Sequence, residues 1–92
     1  MSMTEAIDYI AHRLSHVGAK LSLFNEEALQ LIVNATKGVP RKINGLAFRS
    51  MLSAVNKEVT TIDANIVREI YKAVEYLITV KRILETEEEI KL

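Results

Sequence analysis

The chain has no cysteine and no tryptophan, a single proline (Pro40), three glycines and five aromatic residues. Without cysteine there are no disulfides and no thiolate metal sites, which fits a reducing, cytoplasmic setting. The longest apolar run is only a few residues, so the sequence offers neither a membrane span nor the apolar stretch of a signal peptide. With Tyr9, Phe24, Phe48, Tyr71 and Tyr76 as its only aromatics, the core must be built from Ile, Leu, Val and Ala. There is no Gly-rich phosphate loop ending in Lys-Ser/Thr and no nucleophile elbow, so no catalytic site can be assembled from motifs.

What is present is a 92-residue chain that is 49% hydrophobic and 26% charged, the composition of one ordered domain near the small end of what buries a core unaided. Its net charge of zero hides an asymmetry: residues 1–57 carry seven Lys/Arg against four Asp/Glu, and residues 58–92 carry five against eight. That imbalance is too weak to argue for nucleic-acid binding alone. The opening Met1-Ser2-Met3 suggests a piece cut from a longer protein.

Helical period without period-two alternation predicts four helices and no strands. The first runs from about Thr4 to His16, started by a Ser2-Met3-Thr4-Glu5 capping box and stopped at Gly18, with Ile7, Ile10, Ala11, Leu14 and Val17 on one face. The second is capped by Asn25, with Glu26 and Glu27 in its first turn and Phe24 placed to staple onto Leu29. Its inward residues are Ala28, Leu29, Ile32, Val33 and Ala35, and Gly38 ends it.

The third helix starts at Pro40, runs to about Asn56, and buries Ile43, Leu46, Ala47, Ser50, Met51 and Ala54. Gly45 inside it costs about 1 kcal/mol relative to Ala, either as a site of close backbone approach or as a tolerated imperfection. An extended link over Val59 to Ile62 leads to an Asp63 cap and a fourth helix. There Ile66, Ile70, Ala73, Leu77, Val80 and Leu84 form a heptad-like seam, beside a second stripe of Val67, Val74 and Ile78. This helix carries more apolar surface than three short partners cover. Its part beyond Tyr76 is therefore expected to contact another chain or domain, the competing expectation being a fold back over the same core.

His12 and His16 have the i, i+4 spacing of a two-histidine metal site, but no third ligand is nearby and Arg13 lies between them, so helix-terminal, solvated histidines are expected and no metal. The Glu85–Glu89 run is expected to be a solvated, fraying terminus.

The most informative stretch is Gly38-Val39-Pro40-Arg41-Lys42-Ile43-Asn44. It puts Arg41 in the first turn of a helix, beside unpaired backbone N–H groups, where the dipole disfavours a cation by roughly 0.3–1 kcal/mol. Such a charge is better explained by a phosphate-bearing partner than by the fold. Asn44 follows one turn later and Arg49 two turns later, on roughly the same side. The structural alternative pairs Arg41 with Glu26 or Glu27, or leaves it in solvent.

That stretch, taken with Tyr9-Ile10-Ala11-His12-Arg13-Leu14, Phe24-Asn25-Glu26-Glu27-Ala28-Leu29 and Thr61-Ile62-Asp63, resembles the C-terminal lid subdomain of AAA+ ATPases. The likeness covers about residues 5–75 and is closest to the group that includes the secretion-pathway ATPase ExeA and the transposition ATPase TniB. It implies an all-α, four-helix lid-type bundle with a long C-terminal helix: a lid-like domain over 1–76 and a helical extension with an acidic tail over 77–92. It also implies that Arg41, with Asn44, is the sensor 2 element that reaches the phosphates of ATP–Mg held by an N-terminal ATPase core. The Walker lysine, Walker carboxylates and arginine finger are absent from this chain, so it is not an enzyme on its own and does not hold nucleotide tightly.

The expected partners are that core, neighbouring ATPase subunits, and, in the transposition branch, DNA and a transposase. Transposition is favoured because the chain ends in an acidic helix with no membrane segment following. Lys20, Lys37, Lys42 and Arg49 are the candidate DNA or phosphate contacts, and Leu77, Val80 and Leu84 the candidate partner interface. The alternative is a freestanding DNA-binding or adaptor module that reads a groove with helix 40–56.

Overall fold

In a computed structural model the chain is described over residues 1–91, with side chains over 1–86. Four α-helices follow in order: α1 (Met3–His16), α2 (Glu26–Thr36), α3 (Pro40–Asn56) and α4 (Ala64–Lys91), with a short 3₁₀ turn at Leu21–Leu23. The molecule is an all-α bundle, with no strand among the described residues and no helix long and apolar enough to cross a membrane.

The helix starts follow the predicted chemistry. Ser2 Oγ accepts from the Glu5 backbone N–H at 3.2 Å, the first half of the capping box, and donates to the Glu5 carboxylate at 3.1 Å, starting α1 at Met3, one residue early. Asn25 Oδ1 accepts from the Ala28 N–H at 3.1 Å and Asp63 Oδ1 from the Ile66 N–H at 3.0 Å. Phe24 and Ile62, the residues ahead of those two caps, are both buried and form an isolated parallel bridge. Ile62 N–H donates to the Leu23 carbonyl at 2.8 Å, and Asn25 N–H donates to the Ile62 carbonyl at 3.0 Å. The predicted link over Val59 to Ile62 is thus tied to the start of α2, and α2 and α4 spring from one point.

The helix ends are less orthodox. Gly18 stops α1 as expected, at φ +74°, with Ala19 N–H donating to the Leu14 carbonyl at 2.9 Å. At the end of α2 the left-handed position falls on Lys37 (φ 54°), one residue before the expected Gly38, which is itself at φ +72°. Glu58 (φ 56°) does the same after α3. In both places the following N–H closes a Schellman bond, Gly38 to the Val33 carbonyl and Val59 to that of Ala54.

The core gathers Ala6, Ile10 and Leu14 of α1, Ala28, Leu29, Ile32 and Val33 of α2, and Ile43, Leu46, Ala47 and Ala54 of α3, closed by Phe24, Ile62, Ile66 and Val67. Two buried hydroxyls are satisfied within their own helices: Thr36 donates to the Ile32 carbonyl at 2.7 Å and Ser50 to that of Leu46 at 2.8 Å. Val17 was expected on the inward face but is 71% exposed, because the chain is already turning at Gly18; Ala6 takes its place.

The first three turns of α4 lie on α2 and α3; beyond Tyr76 the same helix continues into solvent. Leu77 is 65% exposed, and Ile78, Ile83 and Leu84 are each more than half exposed. The fold-back alternative is therefore overturned: a helix of 28 residues is about 42 Å long and outruns the bundle. The radius of gyration is 15.3 Å, against about 12 Å for a compact chain of this length. The helical backbone continues through the acidic run to Lys91, while the side chains of Glu87, Glu88 and Glu89 lie outside the described residues.

Candidate phosphate-facing helix start

Among the four N-termini, α3 is built differently. Pro40 at its first position has no N–H to satisfy, and the N-cap, Val39, has no side chain that can accept a hydrogen bond. The Ile43 N–H is taken by the Val39 carbonyl at 2.9 Å, but the Arg41 and Lys42 N–H groups have no intramolecular acceptor among the described residues. The other three helices are capped by Ser2, Asn25 and Asp63. The uncapped start is also the one that carries two cations and no acidic residue in its first turn.

Arg41 and Lys42 are both exposed. Arg41 makes no ion pair: the only salt bridge among the described residues joins Lys57 and Glu69, so of the two structural alternatives the pairing with Glu26 or Glu27 is not realised and the solvent-facing arginine is. The turn ahead of it is tightly built. A Cβ on Gly38 would sit 3.3 Å from the Met1 carbonyl oxygen, on top of the strain of a positive φ, so the N-terminus of the chain seats against the turn that delivers Arg41.

The other candidate residues do not converge on Arg41. Asn44 turns toward α1, where its Oδ1 accepts from the Tyr9 hydroxyl at 3.0 Å. Arg49, five residues further on and so about 140° round the helix, lines the groove between α3 and α4, with its guanidinium lying back over Gly45. The two side chains line separate grooves. One, of about 350 Å³, lies between α1 and α3 and is lined by Ile10, Leu14, Val17, Phe48 and Met51 with Arg13 and Asn44 at its edge. The other, of about 540 Å³, lies between α3 and α4 and takes in Leu52, Ile70, Val74, Leu77 and Ile78, rimmed by Arg49 and Lys81. Lys20 and Lys37 are exposed, on the loop after α1 and at the end of α2. Leu77 and Leu84 are exposed and Val80 half-buried.

Gly45 has open space around it: only the Arg49 guanidinium, at 3.8 Å, would meet a Cβ, so no backbone approaches closely. The histidines stack edge-on with ring centroids 4.6 Å apart, and His16 Nδ1 lies 2.8 Å from the His12 carbonyl, which can only accept, so Nδ1 carries the hydrogen. No group of three or more His, Asp or Glu side chains among the described residues is placed to hold a metal ion.

Sequence reasoning missed an apolar stripe on the outward face of α3. Phe48, Leu52 and Val55 follow one another at i, i+4, i+7 and are about half exposed or more. The signal was present, since the three share a helical face; it was hidden by the stronger Ile43–Leu46–Ser50–Ala54 stripe on the opposite side.

No protein-family model, curated protein or solved structure matches the chain.

Proposed function

We propose that the chain is the lid of an AAA+-type ATPase and that Arg41 senses the phosphates of nucleotide bound by a separate ATPase core. One observation carries the reading: among the described residues, the α-helix start without a side-chain cap is the one that presents an unpaired, exposed arginine beside free N–H groups. A guanidinium and two backbone donors together suit a phosphate oxygen, each bond being charge-assisted. The four-helix order and the Gly38-Val39-Pro40-Arg41-Lys42-Ile43-Asn44 resemblance agree with it. Asn44 supports the site from behind, by tying α3 to α1 through Tyr9.

On this reading ATP binding by the core pulls on Arg41, and the bundle moves as one body because α1, α2 and α3 share a single apolar core. The chain itself supplies no hydrolytic group.

The test is an amide NMR titration of the 92-residue chain with Mg–ATP, Mg–ADP and AMP. Shifts centred on Gly38, Arg41 and Lys42, stronger for the triphosphate and lost in Arg41→Ala, are expected at millimolar nucleotide. No response there to any nucleotide would overturn the reading. A titration with duplex DNA that instead moved Lys20, Lys37, Lys42 and Arg49 together, with steep salt dependence, would establish the DNA-binding alternative.

A further inference from the structure

His12 and His16 are the only histidines of a chain without cysteine, and both are exposed near the end of α1. Four residues apart, they share one helix face, the spacing at which two imidazoles reach a common ion. The folded chain adds three facts that spacing alone does not give. First, the two rings lie together, with centroids 4.6 Å apart. Two imidazoles side by side on one metal, at nitrogen–metal distances of about 2 Å, have centroids about 5 Å apart. Second, the His16 Nδ1–H is spent on the His12 carbonyl at 2.8 Å, which leaves the Nε2 lone pair free. A backbone acceptor on the other ring nitrogen is how metal-binding histidines are held. Third, His16 is the last residue of α1, where the negative end of the helix dipole favours a cation.

Two features of the sequence speak against a metal here: Arg13 between the rings, and the want of a third ligand. The fold turns the first aside. Arg13 lies at the edge of the groove between α1 and α3, about 100° round the helix from His12. The second sets the strength of the site. No third acidic or imidazole side chain joins the pair among the described residues, so water fills the remaining positions.

We propose that His12 and His16 chelate a divalent transition-metal ion such as Zn²⁺ or Cu²⁺, in a weak and exchangeable site. Imidazole nitrogen suits these ions, whereas Mg²⁺ and Ca²⁺ prefer oxygen. Two ligands one turn apart pin the last turn of α1, so the ion stabilises the folded chain by mass action. The proposal does not depend on Arg41 sensing nucleotide.

The test is an NMR titration of the 92-residue chain with each metal alone, paired with thermal melts. Substoichiometric Cu²⁺ should broaden the signals of His12, His16 and the residues between them first. Saturating Zn²⁺ should raise Tm, and Mg²⁺ should do neither. His12→Ala and His16→Ala should each weaken binding at least tenfold, because either leaves a single nitrogen. Both side chains are exposed, so unchanged helicity without metal shows that the variants are folded. Adding Asp8→His to His16→Ala recreates the four-residue spacing with His12 and should restore binding. Adding Arg13→His instead restores the number of imidazoles without the spacing and should not.

Single-histidine variants that bind as the parent does would overturn the proposal, as would broadening centred on the Glu85–Glu89 run. Equal recovery by Asp8→His and Arg13→His would overturn it too, since chelation by a shared helix face would then play no part.

Discussion

The Tyr9 hydroxyl donates to Asn44 Oδ1 at 3.0 Å, a cross-link between α1 and α3 spanning 35 residues of sequence. It is partly buried, and it is the described side-chain bond that joins those two helices. Tyr9→Phe removes the donor and keeps the ring, so about 0.5–1.5 kcal/mol of stability should be lost. Asn44→Ala should cost a similar amount, and the double variant little more than either single one. Additive losses in chemical denaturation would mean that the two residues act independently.

Two helix ends use a residue poorly suited to its backbone. Lys37 and Glu58 sit at φ 54° and 56°, where an L-residue is strained and glycine is not. Lys37→Gly and Glu58→Gly should each stabilise the chain by ~0.5 kcal/mol, the relief of strain being partly offset by the greater freedom of glycine when unfolded. Gly38→Ala should do the opposite, by more than about 1 kcal/mol, since it adds a Cβ at a positive φ and close to the Met1 carbonyl. Gly45→Ala, in open space mid-helix, should stabilise by about 1 kcal/mol. Thermal melts of these four variants would show two signs; a uniform loss would contradict the backbone argument.

These positions also show what the sequence made legible. Helix starts were readable because each depends on one or two local side chains: Ser2 with Glu5, Asn25, Pro40 and Asp63 all open helices where their chemistry requires. Helix ends were harder, because whether Lys37 or Gly38 takes the first left-handed position is decided by where the Val33 carbonyl must be met, a matter of a single residue. The bridge between Phe24 and Ile62 left no local trace, since it joins segments 38 residues apart. At the candidate site, Arg41 was readable from its helix position, but the opposite turnings of Asn44 and Arg49 needed the bundle that surrounds them.

On α4, the carboxylate of Glu75, one turn beyond Tyr71, raises the Tyr71 hydroxyl above its usual value of 10.0, first by favouring the protonated phenol as a donor and then by its negative charge. A neutral acid whose folded pKa is raised contributes stability below the unfolded value, and loses it as pH climbs through the folded value. Ultraviolet titration of the three tyrosines should thus show a component above 10.0 that Glu75→Gln returns toward it. Stability should therefore fall with pH above 10.0 more in the parent chain than in Glu75→Gln, where this contribution and its loss are both absent. A titration unchanged by that substitution would remove Glu75 as the cause.

The sharpest separation of fold from function lies at Arg41. Its guanidinium makes no ion pair and faces the positive end of α3, so the fold gains nothing from its charge and is opposed by it. Arg41→Ala should leave stability unchanged or raise it slightly, and Arg41→Glu should raise it by roughly 0.3–1 kcal/mol, since a carboxylate there complements the dipole and can accept from free N–H groups. Both variants should lose the nucleotide-dependent amide shifts of the Gly38–Lys42 turn. A residue kept for packing would behave in the reverse way, with stability falling and any ligand response surviving. Denaturation and titration on the same three proteins, parent, Arg41→Ala and Arg41→Glu, therefore distinguish a cation held for a phosphate from one held for the bundle. If Arg41→Glu proved less stable than the parent, the charge would have an anionic neighbour in the folded chain, and the phosphate-sensing role would lose its footing.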